Sequence, residues 1–314
     1  MSDGGWPADG ALRGRLVAAS LALVAAFLWA TYYLFVLGVS PATRPSAILL
    51  YPFVAGGAAL GLWAFAHGNG RALGRSFVQP ASYLRTALLL VMQLGVIAAT
   101  FLIGPVDASL LSLLGDVVAT PLVVAALFAH GREELRLPLV VTGLLLSLAG
   151  GTLAIVGGHG VAAIRGVGWL VVVSLPVVVA FYFILCARAG ASTPVPVVVA
   201  QATIAAALAS IALAPLVPGG LAGLVAVSPR ALALLLVNGL LSFFVAPLLY
   251  FRAIARAGFV LPPMMMTGIP VFTLLLSAAV LAIAPTPLAV LGVPIAAVGG
   301  IVALTAGARP NSRR

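Results

Sequence analysis

The chain has 314 residues, of which 63% are hydrophobic and 7% charged, and its mean hydropathy is +1.25. A soluble domain carries about 25% charged residues, so a soluble enzyme, a nucleic-acid-binding domain and a disordered chain are excluded. The net charge of +10 points to no nucleic acid either, because all sixteen basic residues are arginines, scattered singly or in pairs between apolar runs, where a phosphate-binding patch would gather them.

A membrane helix needs about 20 apolar residues, and the stretches between ionisable residues supply them in turn. Residues 1–15 form an N-terminal tail. Spans 1 and 2 fall in 16–43 and 45–70, and span 3 in 86–106. Span 4 occupies 108–131, interrupted only by Asp116, and span 5 lies in 137–164. Span 6 lies in 166–187. The stretch 189–229 holds span 7 (about 194–216) and a Gly/Pro-rich loop, Val217–Pro229, before span 8 in 231–251. The stretch 257–308 is too long for one helix. It divides into spans 9 and 10 at Ala284-Pro285-Thr286-Pro287, where two prolines stop a helix. Residues 307–314 form a C-terminal tail. No cleavable signal peptide is expected, since the first span is long and no cleavage site follows it.

Arginine placement sets the orientation. With the N-terminus inside, only Arg44, Arg165 and Arg230 fall outside, and the other thirteen arginines fall inside. The expectation is a multi-pass protein of the cell's inner (plasma) membrane with both termini cytoplasmic.

Residues 121–151 repeat as 270–300 at a constant offset of 149. Pro121 matches Pro270, Pro138 matches Pro287, Gly143 matches Gly292, and Gly150-Gly151 match Gly299-Gly300. Ala30 and Tyr32 echo as Ala180 and Tyr182 at offset 150. Five spans duplicated means that the second copy enters the membrane from the opposite side. The expected fold is all-α integral membrane, with ten transmembrane helices as two inverted five-helix repeats, 16–158 and 166–306. Such repeats are the architecture of secondary transporters.

The same residues point to a family. Phe27-Leu28-Trp29-Ala30-Thr31 lies in span 1, Ala108-Ser109-Leu110-Leu111 opens span 4, and Thr120-Pro121-Leu122 follows. Glu134 and the span 5 glycines close the first half. Ile269-Pro270-Val271-Phe272 and Gly292, Gly299 and Gly300 repeat the pattern. Nearly the whole chain resembles the EamA-like branch of the drug/metabolite transporter superfamily. It departs at Ile283, the position equivalent to Glu134, and at Thr120 and Ile269, where an acidic residue often precedes the proline. The resemblance implies alternating access and export or exchange of small polar or amphipathic metabolites, amino acids among them.

Asp116 is the sharpest single signal. It lies about ten residues into span 4, roughly 15 Å deep at the helical rise, and a carboxylate at that depth is costly. It either takes up and releases a proton, pairs with a substrate ammonium, or stays protonated and bonded to a neighbouring helix. Asp107, at the end of the same span, is expected to be solvated. Pro121 and Pro270 should kink spans 4 and 9 as paired hinges, with Gly268 loosening the latter. Thr31, Tyr32 and Tyr182 in spans 1 and 6, with Trp29 and Tyr33 nearby, Gln93 in span 3, Gln201 in span 7, and Asn238 and Ser242 in span 8 are candidates for a polar substrate cavity.

No metal site is expected, because His67, His130 and His159 are scattered and Cys186 is alone. Gly68-Asn69-Gly70 precedes no P-loop lysine, which argues against nucleotide and an ATP-driven pump. No other cofactor is implied. Gly57 and Gly61 form a GxxxG suited to close helix contact within the monomer or in a homodimer. The expected partners are therefore a small-molecule substrate, the lipid bilayer and a second copy, and the expected function is secondary transport, not enzymatic. An intramembrane lipid-modifying enzyme would need a catalytic cluster that the spacing does not supply. A non-transporting scaffold is the other alternative. A reporter active only in the cytoplasm, fused after Arg314, should be active; silence there overturns the topology.

Overall fold

The computed structural model describes residues 8–39, 43–119, 122–123, 138–159, 167–190, 192–216, 220–257 and 261–307. Pro121, Thr120 and Glu134 lie outside the described residues, as does the side chain of Asp116. Every regular element is helical, and no strand occurs among the described residues.

Six helices are long and apolar enough to cross a membrane, namely Leu16–Val39, Pro45–Ala66, Pro80–Ile103, Gly168–Gly190, Val195–Leu216 and Pro229–Ala257. Four shorter apolar helices accompany them: Pro105–Leu114, Pro138–Ala154, Gly268–Leu281 and Pro287–Ala303. Large apolar side chains such as Leu62, Phe65, Leu170, Leu208 and Leu291 are exposed on the outside. Water does not tolerate a surface of that kind, and lipid does. The chain is an all-α membrane protein.

In chain order the helices are α1 (Ala8–Val39), α2 (Pro45–Ala66), α3 (Gly70–Phe77), α4 (Pro80–Ile103) and α5 (Pro105–Leu114), which runs on into a π turn, Gly115–Ala119. Then come α6 (Pro138–His159), α7 (Val167–Gly190), α8 (Val195–Leu213) and the short α9 (Ala222–Val225). Next, α10 (Pro229–Gly239), a second π turn (Leu240–Val245) and α11 (Ala246–Ala257) form one long rod. The chain finishes with α12 (Leu261–Met266), α13 (Gly268–Leu281) and α14 (Pro287–Gly307). Prolines open many of these helices, where a missing N–H has no partner to lose. Gly104, at φ 88°, ends α4 and turns the chain directly into α5, a conformation that glycine adopts without a Cβ penalty.

The tightest packing joins α6 to α14. A Cβ built on Gly143 would stand 2.6 Å from the Gly299 carbonyl oxygen, and one on Gly150 would stand 2.7 Å from that of Gly292. The reverse approaches, Gly299 to Gly143 and Gly292 to Gly150, are as close. The rising number on one helix meets the falling number on the other, so the two run antiparallel with backbone against backbone. Ser147 Oγ, midway between, donates to the Ala296 carbonyl at 2.8 Å. Small residues let helices approach this closely, and van der Waals contact is what holds them where lipid is as apolar as leucine.

The other helices pair across the chain's midpoint. α2 lies along α8, with a Cβ on Gly57 falling 3.3 Å from the Ile204 backbone. α1 packs against α11, α12 and α13, while α7 packs against α4 and the π turn after α5.

Several positions differ from expectation. α4 begins at Pro80, so Arg85 sits within a helix and is 2% exposed, not in a loop. Asp107 is buried in the first turn of α5, not solvated, since Gly104 folds that turn back onto the bundle. The stretch Val217–Pro229 contains α9, whose Leu224 carbonyl accepts the Tyr51 hydroxyl. Pro270 lies in the first turn of α13, and the break between α12 and α13 falls at Thr267, in the turn before the proline, where its ring and missing N–H interrupt a helix.

Gly143→Ala or Gly299→Ala should lower the melting temperature in detergent, because overpacking a fitted contact costs about 1–3 kcal/mol. Gly38→Ala, with nothing within 4 Å, should leave it unchanged. Equal melting temperatures for all three would contradict the seam.

Candidate functional site

The cross-paired helices enclose a cavity of about 140 Å³ open to the centres of water-sized molecules. A single water needs about 10–15 Å³ on this measure, so the space admits a small solute. Its wall takes Trp29, Tyr32 and Tyr33 from α1, Leu89, Met92, Gln93 and Val96 from α4, and Ser112 from α5. On the other side stand Val179, Tyr182, Phe183 and Cys186 from α7, Val199 and Thr203 from α8, and Ser242, Phe243, Tyr250 and Phe251 from the α10–α11 rod. Met266 and Ile269, on either side of the Thr267 break, complete it.

Tyr32 and Tyr182, matched by the repeat, therefore face one space from opposite helices, and Gln93 and Ser242 join them. Asn238 stands one step behind: it is fully buried, and its Oδ1 accepts from Ser242 Oγ at 2.9 Å. Thr31 takes no part in the wall; its hydroxyl donates to the Leu28 carbonyl in its own helix at 2.7 Å. Gly268 and Pro270 flank the wall residue Ile269 without lining the space themselves. The backbone of Asp116 lies in the π turn after α5. In that turn a Cβ on Gly115 would stand 2.9 Å from the Pro176 carbonyl, so α7 comes close to the turn's backbone.

The wall is aromatic. Tyr32 meets Tyr33 and Phe243 edge-on, each at 5.9 Å between centroids, and Trp29 meets Tyr250 at 5.5 Å. Edge-to-face packing of this sort fixes ring orientation. The polar groups are mostly tied to one another. Trp29 Nε1 donates to the Ser242 carbonyl at 2.8 Å, an acceptor inside the second π turn. Tyr33 Oη and Ser112 Oγ are 3.0 Å apart, and Thr203 Oγ1 donates to the Val199 carbonyl at 2.8 Å. Gln93 differs: its Oε1 is buried with no hydrogen-bond partner. An unmet buried acceptor is uncommon, and this one belongs to a residue that faces a cavity.

Sequence reasoning set Trp29 and Tyr33 beside the candidate cavity, which they line, and missed Ser112, Thr203 and Tyr250 as wall residues, and both π turns. Helical spacing was the usable signal. Leu89, Gln93 and Val96 recur at four and three residues, which puts them on one face, and Arg85 falls on that same stripe. The π turns leave no mark in composition. Among the described residues, no group of three His, Cys, Asp or Glu stands close enough to hold a metal ion.

No protein-family model and no curated protein matches the chain. Seven chains of known structure match its fold. One of them, described only as the crystal structure of a protein, superposes with a TM-score of 0.66 over 94% of this chain and all of its own length, at 20% identity. At that identity the likeness is one of fold.

Gln93→Met should leave the melting temperature equal or higher, since it removes an unmet acceptor at similar size. Trp29→Phe should lower stability by about 1 kcal/mol by leaving the Ser242 carbonyl without its indole donor. Thermal denaturation in detergent measures both, and the opposite order would contradict this account of the wall.

Proposed function

We propose that this protein is a secondary transporter of the EamA-like, drug/metabolite type, moving a small amphipathic metabolite by alternating access between two inverted five-helix repeats. The four shorter apolar helices bring the spans to ten under this proposal, with both termini cytoplasmic. The carrying observation is the cavity's position: it lies between the two halves of the chain, with Tyr32 and Tyr182 facing it from matched helices.

The seam supports the same conclusion. Under an offset of 149, the contact of Gly143 with Gly299 maps onto that of Gly292 with Gly150. An axis lying in the membrane plane requires this exchange. Inverted halves that adopt two slightly different conformations, and then trade them, convert an outward opening into an inward one. The aromatic wall favours a substrate with an apolar body, and Gln93 Oε1 offers it one acceptor. The pairing of Ile269 with Met266 across the Thr267 break makes that break, with Gly268, the hinge on the second side.

Reconstitution into liposomes with radiolabelled amino acids, nucleosides and amines, with and without a pH gradient, tests the function. Uptake of at least one class above protein-free vesicles is the expected result. Asp116→Asn should abolish that uptake or its response to the gradient while the protein remains folded. Unchanged uptake and unchanged pH dependence would remove Asp116 from the mechanism.

A further inference from the structure

Arg85 is the feature that the proposed function leaves unused. It sits one turn before Leu89 on α4, in the stripe that continues through Met92, Gln93 and Val96 along the cavity wall. It is 2% exposed, and its Nε is buried with no hydrogen-bond partner. A guanidinium keeps its charge in proteins, and a buried charge without a counter-ion is strongly unfavourable. The only acidic side chain among the described residues, Asp107, follows the far end of α4, about 27 Å of helix away.

The guanidinium is nevertheless held in place. Nη2 donates to Ser82 Oγ at 2.8 Å, and Ser82 in turn donates to the Ser76 carbonyl, tying the group back to the α3–α4 junction. One of five N–H donors is thereby used. Tyr182 and Cys186, which both line the cavity, lie within electrostatic reach of this charge. Thr86, the next residue along α4, accepts from Nε2 of the buried Gln201 at 3.4 Å, and Gln201 Oε1 is unpartnered. A tethered, unpaired guanidinium at the edge of an aromatic cavity is built for a planar anion, because its fork of N–H groups matches a carboxylate.

Building on the transporter proposal, we infer that the substrate is an organic monocarboxylate with an apolar, preferably aromatic, body, and that Arg85 supplies its counter-charge. The carboxylate takes the free N–H groups of Arg85, and the body lies against Tyr182 and the aromatic wall beyond it. The empty site carries one uncompensated positive charge, which the substrate neutralises on entry. A neutral or cationic analogue of the same shape gains nothing there.

The test uses the purified full-length protein and three probes of one shape: 3-phenylpropionate, its amide, and 3-phenylpropylamine. Binding is read by tryptophan fluorescence and by melting temperature, on wild type, Arg85→Gln and Arg85→Lys. The carboxylate should bind and stabilise wild type, with the amide and amine at least about tenfold weaker, as loss of a charged hydrogen bond implies. Arg85→Gln should lose the carboxylate preference, and Arg85→Lys should keep part of it. Equal binding of all three probes by wild type, binding of none, or an undiminished preference in Arg85→Gln overturns the inference. The wild-type comparison stands even if a variant fails to fold. Stabilisation by phosphatidylglycerol in phosphatidylcholine vesicles, competing with the carboxylate and lost in Arg85→Gln, would assign the anion to a lipid headgroup and also overturn it. Uptake into liposomes separates the two proposals. Arg85-dependent binding without uptake defeats transport and leaves the anion site, whereas amine uptake that persists in Arg85→Gln defeats the anion site and leaves transport.

Discussion

The contact of α6 with α14 is the constraint on which the rest depends. Four glycines bring two backbones together so closely that no side chain fits between them. Each glycine is therefore needed for the space it leaves empty, not for its torsional freedom. α1 and α7 cross over to the opposite half, and the volume left between them is the aromatic cavity. In lipid there is no hydrophobic gain from bringing helices together, so fit of this kind has to supply the cohesion that a soluble protein draws from expelling water.

The cavity reconciles two opposed demands. Backbone and side-chain polar groups at membrane depth must find partners, yet a transported molecule must find some groups free. Most hydroxyls on the wall meet the first demand by bonding within their own helix or to a neighbour. Gln93 and Gln201 each keep one oxygen unmet, and Arg85 keeps an unmet N–H. Of these three residues, Gln93 lines the space, and Arg85 lies two turns before it on the same helix. The chemistry of the site is thus carried less by the many polar residues around it than by the few whose bonding is incomplete.

Much of the fold was legible in the sequence, because membrane spans announce themselves by hydropathy. The glycines of the repeat, found as a pattern of letters, turned out to be the points of closest helix contact. Tyr32, Tyr182, Gln93 and Ser242 were legible as wall residues, since polar tips within apolar helices have few other uses. Arg85 was not. An arginine near the end of an apolar run reads as a loop residue, and only the helix start at Pro80 and its burial set it inside. Asp107 was misread for the same reason: the turn at Gly104 folds it inward, and hydropathy does not register a turn. The interruption expected at Pro270 falls at Thr267, between α12 and α13, in the turn before the proline.

The two π turns have a further meaning. A π turn is what a single inserted residue becomes when an α-helix absorbs it without breaking. Rewinding Leu240–Val245 as a regular α-helix of the same length would rotate everything after it by about 100° relative to what comes before. Pro247, which also lines the cavity, would then turn away from it together with Tyr250 and Phe251. Composition, hydropathy and the arginine pattern would hardly change. Two chains with the same map of spans can therefore enclose differently lined cavities, and a difference in the winding of one helical turn, invisible to a hydropathy plot, is enough to separate them.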